Sequence, residues 1–184
     1  LTTNAGILLP TIRSRCVTLD LKPVAPGVLK EYLMRELEIP EYRANICTAF
    51  AQGNVGKAKR LALSGEFSEM LEHAVHLVKY IQDIEVADII TDLKRIDTYK
   101  MEINDYLDIL MVWYRDVLMF KATRDADHLV FSDELISIRE KVKKSSYEGL
   151  ESVIKALDKA KVRLNANVNF EMALELLLLT MKEN

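Results

Sequence analysis

The sequence predicts a mainly all-α chain with a short β segment at its start, and three observations carry that expectation. All four prolines (Pro10, Pro23, Pro26, Pro40) lie in the first 40 residues, and five of the six glycines lie in the first 65. Helix interiors disfavour both, by about 1 kcal/mol for glycine and about 3 for proline. From Glu66 onward, apolar residues recur with a 3.6-residue period, the signature of amphipathic helices. Serines and asparagines stand at the starts of several periodic stretches, where they can accept from free amides.

In chain order, Leu1 to Asn4 reads as a strand end, and Ala5 to Pro10 as a loop or single turn. The alternating, β-forming stretch from Cys16 to Leu21 reads as a strand. Two short strands are not stable alone, so their sheet is expected to lie elsewhere in a longer protein. The first residue, Leu1, is not methionine, which fits a fragment or processed product.

Three short helices are expected next. Pro26 suits the first turn of one reaching about Leu37. Pro40 opens a second, to about Gln52, with Gly53 as a left-handed cap. Asn54 caps a third, Val55 to Leu63, which Gly65 ends. Five to six longer helices follow. The first carries Phe67, Met70, Leu71, Ala74, Val78 and Ile81, and the second Val86, Ile89, Ile90 and Leu93. The third, from Ile103 to Phe120, is apolar nearly all round and so belongs at the centre of a bundle. Ser132 is expected to cap a fourth, up to about Lys144. Ser145 and Glu148 form a capping box that opens a fifth. Asn169 caps the last. Leu176 and Leu179 lie off the main apolar face of that helix, either to meet another chain or to complete this chain's own core.

Composition excludes some functions. With 25 basic and 28 acidic residues, the net charge of -3 gives no general attraction for nucleic acid. No stretch reaches the roughly 20 apolar residues that span a bilayer, and no signal peptide pattern opens the chain. Cys16 and Cys47 have no metal-ligand spacing and suggest a reducing compartment.

Few residues suggest chemistry. His73 and His76, three apart on one helix, could share a metal, but no third ligand stands near, so two helix histidines are the plainer reading. Gly53-Asn54-Val55-Gly56-Lys57 lacks phosphate-loop spacing and reads as a helix-start cap. Two basic clusters, Lys57, Lys59 and Arg60, and Lys141, Lys143 and Lys144, read as solvated helix faces without interleaved aromatics. No nucleophile–base set or carboxylate pair is readable. Arg13 and Arg15 carry planar five-donor forks suited to phosphate oxygens. Taken alone, they read as ordinary surface arginines.

The segments "LTTN" and "ILLPTIRSRC" resemble the end of the nucleotide-binding domain in AAA+ clamp-loader subunits. There a sensor segment is followed by a short helix and a Ser-Arg-Cys tripeptide. "AQGNVGKAKRLAL" resembles the third helix of that family's lid, and "NANVNFEMALELLLLTM" its last collar helix. The resemblance implies that 1–22 is a remnant of the AAA+ core, 23–64 a three-helix lid and 65–184 a collar that joins subunits. It implies a cytoplasmic subunit of the replicative DNA polymerase holoenzyme, within a five-membered ring. The partners would be gamma/tau and delta clamp-loader subunits, with the sliding clamp and primed DNA met through the assembled ring and no membrane.

Thr2, Thr3 and Asn4 would be the sensor segment. Ser14, Arg15 and Cys16 would be the tripeptide, with Arg15 an arginine finger reaching a neighbour's ATP. Arg13 matches a position without an assigned role. Gly56 stands where ATPase subunits carry a nucleotide-sensing arginine, and no phosphate loop occurs within 1–184. The chain would therefore have no catalytic activity and no cofactor of its own, with ATP held by neighbouring subunits. A gamma/tau-type ATPase subunit and a helical nucleic-acid-binding module are the alternatives. The missing lid arginine weighs against the first, and the charge against the second.

Overall fold

The computed structural model describes residues 5–17 and 19–184, and it is all-α. A 3-10 turn (Ala5–Ile7) precedes the one-turn α1 (Pro10–Arg13). Then come α2 (Pro26–Glu36), α3 (Glu41–Ala51) and α4 (Val55–Leu63). The longer helices are α5 (Gly65–Tyr80), α6 (Val86–Asp97), α7 (Ile103–Thr123), α8 (Leu135–Lys144), α9 (Tyr147–Asn165) and α10 (Phe170–Glu183).

No strand occurs among the described residues, so the β segment expected at Cys16–Leu21 is corrected. Its described residues are irregular and exposed. A strand exists only through a partner's ladder, and none of the described residues offers one. The sensor-segment strand end expected at 1–4 falls outside the described residues.

The three short helices α2, α3 and α4 pack on one another: α2 on α3 and α4, and α3 on α4. Leu29, Leu33, Cys47, Phe50 and Leu61 fill the space between them. Pro26 takes the first turn of α2, as expected. The Asn54 side chain accepts from Lys57 N at 2.9 Å and opens α4. Between α3 and α4 the backbone is left-handed at Gln52 (φ 49) and Gly53 (φ 82). Gly53 is also tightly enclosed: a Cβ there would stand 2.5 Å from Pro23 Cβ. Its carbonyl accepts from Val24 N at 3.0 Å, tying this turn to the segment that enters α2.

Gly65 does not end α4. Ser64 accepts from Phe67 N at 3.1 Å, so Gly65 is the first residue of α5. Phe67 meets Phe50 edge-on, with ring centroids 6.0 Å apart, and joins the short helices to the longer ones in one continuous core. Lys57 reaches Asp105 on α7 at 3.7 Å, a second link.

Helix α7 is central, as its sequence requires, and packs on α5, α8 and α9, while α10 lies against α9 and α6. Tyr106, Trp113 and Tyr114 of α7 are among the largest wholly buried side chains. Two capping expectations are corrected. Ser132 begins a 3-10 turn (Ser132–Glu134) and makes no side-chain cap for α8, which starts at Leu135. The cap of α9 is Ser146, whose Oγ accepts from Gly149 N at 2.9 Å, and not Ser145. Ser145 Oγ instead donates to the Asn184 carbonyl at 2.7 Å and fastens the end of α10. Asn169 caps α10 as expected, accepting from Met172 N at 2.9 Å.

The turn at Gly53 yields the first prediction. Gly53→Ala must force a Cβ both into a left-handed backbone and against Pro23. Thermal or denaturant unfolding is expected to show a loss on the order of 1–3 kcal/mol. An equal stability would mean that the turn is not held in this conformation.

Candidate functional site

The residues singled out for chemistry fall at separate places. Pro10 starts α1, whose turn continues through Ser14 N donating to Pro10 O at 3.0 Å and Arg15 N to Ile12 O at 3.1 Å. Ser14 Oγ donates to Thr11 O at 3.2 Å. This fixes Ser14, Arg15 and Cys16 in consecutive turn positions, and all three are exposed, as is Arg13. The apolar residues around them are also uncovered: Ile7 is 79% exposed, Val17 89% and Leu21 87%. None of the described residues shields this segment. Thr2, Thr3 and Asn4 lie outside the described residues.

The two histidines part company. His73 is buried on α5, and its Nδ1 lies 2.9 Å from the Tyr106 hydroxyl. Tyr99 stacks on Tyr106 at 5.7 Å, closing an aromatic cluster around the imidazole. Burial first, then the charges of Arg95 and His76, push the His73 pKa down to about 4. His73 is therefore neutral near pH 7, and its 3.8 Å approach to Asp92 is not an ion pair. His76 is exposed and packs on Tyr80, centroids 4.8 Å apart. Among the described residues no group of His, Cys, Asp and Glu could hold a metal ion.

Gly56 lies in the first turn of α4, and Lys57 is committed to Asp105. The cluster at 141–144 is only partly a solvated face. Lys143 and Lys144 are exposed, but Lys141 is buried, 5% accessible. The stripe that buries Ile138 and Val142 also carries position 141 inward, a signal the charge run masked.

Other buried or half-buried polar groups carry no clear signal in the sequence. Asp116, in the apolar stripe of Trp113, Val117 and Phe120, accepts from Phe131 N at 2.8 Å and fastens the loop before α8. Lys121 Nζ donates to Val142 O at 3.0 Å and Ser145 O at 2.9 Å, closing the end of α8. Lys182 Nζ donates to the carbonyls of Gln82 and Ile84, pinning the loop after α5 to α10. Cys47 is a buried free thiol, pushed up to about 11 by burial, and Cys16 is free and exposed.

Apolar surface remains on the helices. Leu179 is half-buried in a groove of about 450 Å³ between α6 and α10, with Ile89, Ile90 and Leu93. Leu176 is 48% exposed beside α9. The two leucines thus differ: Leu179 packs against the core, and Leu176 offers surface.

The class these observations define is an all-α scaffold with exposed apolar strips and one exposed arginine turn. Among the described residues, no helix is long and apolar enough to cross a membrane. The chain belongs to the family described as DNA polymerase III, delta subunit, C terminal, whose model matches residues 82–183, more than half of the chain. It is similar to DNA polymerase III subunit delta' of Bacillus subtilis (strain 168), with 29% identity over 179 residues. That match takes in 96% of this chain and 54% of the relative, so the chain spans about half the length of the curated protein it matches.

Two buried groups give stability opposite pH slopes. Burial raises Asp116 to about 6, against the pull of the Phe131 and Val130 amides and Arg115. The folded state then holds its proton more tightly than an unfolded carboxyl titrating near 3.9. The stability this contributes is full below about pH 4 and is lost as pH rises through about 6. His73, depressed to about 4, contributes stability above about pH 6.5 that is lost as pH falls through 4. In Asp116→Asn the first slope disappears while Asn can still accept from Phe131 N. The stability of wild type relative to this variant is expected to fall by an amount on the order of 2 kcal/mol between pH 4 and 7. Urea unfolding at several pH values measures it.

Proposed function

We propose that this chain is the lid and collar of a delta'-like clamp-loader subunit of the DNA polymerase III holoenzyme. Residues 1–22 then belong to an AAA+ core, 23–64 form the lid and 65–184 the collar. The collar assembles with gamma/tau and delta subunits into a heteropentameric ring. That ring loads the sliding clamp on primed DNA, and the subunit works in the cytoplasm. The observation that carries the reading is the family match across α6 to α10 together with the similarity to a delta' subunit over nearly the whole chain.

The chemistry proposed for the intact complex is small in extent. Arg15, in the Ser14-Arg15-Cys16 turn, serves as an arginine finger for ATP held by the neighbouring subunit. A guanidinium there offsets the negative charge that accumulates on the phosphoryl oxygens during transfer. Its exposure supports this role, since a finger must leave its own subunit to act. Thr2, Thr3 and Asn4 would form the sensor segment. ATP is not bound by this chain in this reading. Gly56 has no side chain to reach a phosphate, which disfavours a gamma/tau-type motor.

Arg15→Ala in the full-length subunit tests the finger. Because the residue is exposed, folding and complex formation are expected to be unchanged. The DNA-stimulated ATPase of the reconstituted complex is expected to fall by a factor on the order of 10. Unchanged turnover in an intact complex would remove the assignment.

A further inference from the structure

Helix α10 stands as a ridge between two grooves. One, of about 450 Å³, lies between α6 and α10, and the other, of about 360 Å³, between α9 and α10. The crest of the ridge is apolar and uncovered: Met172 is 59% exposed and Leu176, one turn on, 48%. Val168, also exposed, precedes the helix.

The grooves carry opposite charge. Glu171 and Glu175 of α10 and Asp97 of α6 line the first, against Lys94 alone. Lys155, Lys159 and Arg163 of α9 line the second, with no carboxylate among the described residues around it. Within the chain, Asp97 is paired with Lys100 at 3.6 Å and Lys155 with Glu151 at 2.6 Å. Glu171, Glu175, Lys159 and Arg163 have no ion pair among the described residues. The two glutamates are one turn apart on their helix, as are the lysine and arginine on theirs, and like charges at that spacing repel. The chain thus keeps two repelling pairs on either side of an uncovered apolar crest. Opposite charge brought by another chain turns both repulsions into attractions, while its apolar residues cover the crest.

A second copy of this chain fits that pattern poorly. With the two α10 helices antiparallel about a two-fold axis, Glu171 and Glu175 meet their own counterparts. With them parallel the charges match, but like ends of the two helix dipoles lie together.

We propose that this face docks two helices of an unlike chain, which straddle α10 as ridges seat in grooves. The helix in the α6–α10 groove carries lysine or arginine, and the helix in the α9–α10 groove carries aspartate or glutamate. The unlike chain is the collar of a neighbouring clamp-loader subunit, an identification that rests on the function proposed above.

Sedimentation of the full-length subunit with gamma/tau and delta subunits tests the surface. Three variants change it: Leu176→Arg, the pair Glu171→Lys and Glu175→Lys, and the pair Lys159→Glu and Arg163→Glu. Ile136→Arg, at an exposed residue of α8, is the control. All the sites are on the surface or half-buried, so melting temperatures are expected to stay near that of wild type. Each of the three is expected to weaken association at least tenfold, and the control to leave it unchanged. Added salt is expected to weaken the wild-type complex more than those of the two charge-reversed variants. If Leu176→Arg does not fold, the charge-reversed pairs carry the same comparison. Variants that fold and associate as wild type does overturn the surface, with the function proposed above untouched. A wild-type subunit that joins neither partner removes that function, and this partner with it. A homodimer that Leu176→Arg dissociates assigns the face to a second copy and overturns the unlike chain.

Discussion

Burial of the broad apolar face of α7 is the constraint on which the rest of the structure depends. A helix carrying Tyr106, Leu107, Leu110, Trp113, Tyr114, Val117 and Phe120 cannot leave a face in water without exposing large apolar area. So α5, α8 and α9 must cover it, and α10 must close over α9. Apolar packing alone would permit several arrangements. The few polar atoms on α7 narrow the choice. Tyr106 is satisfied by His73 of α5, Asp116 by the Phe131 amide, and Lys121 by the carbonyls that end α8. Each such bond contributes about 1 kcal/mol net, but the cost of leaving it unmade is larger, so each selects one docking of its neighbour.

That construction separates a firm interior from a surface with its own apolar strips. The groove between α6 and α10, and Leu176 beside α9, leave hydrophobic area on the outside of a well-packed bundle. A scaffold that joins other chains needs this combination: its own core complete, with surface left over. The arginine turn at the other end of the chain is short, one turn of helix set by Pro10, and its arginines are exposed. Position, and not a preformed pocket, is what such a turn can contribute.

Much of this was legible in the sequence because the signals are local. Asn54 and Asn169 cap the helices they precede, since a cap needs only the next three residues. The all-round apolarity of 103–120 announced the central helix. The failures are tertiary. Ser145 and Ser146 are equivalent locally, and the carbonyl of Asn184, 39 residues away, decides which is free to cap. The segment at Cys16–Leu21 has strand composition but no ladder partner among the described residues. The charge of Lys141 hides its inward place between Ile138 and Val142. Asp116, alone on an apolar stripe, carries the same kind of signal.

The central proposal is that this helical scaffold assembles with unlike partners. Native mass spectrometry of the chain mixed with the collar regions of gamma/tau and delta subunits tests it most directly. The account predicts one complex of five chains containing a single copy of this one. A chain that stays alone in that mixture, or that forms only homo-oligomers, would contradict it.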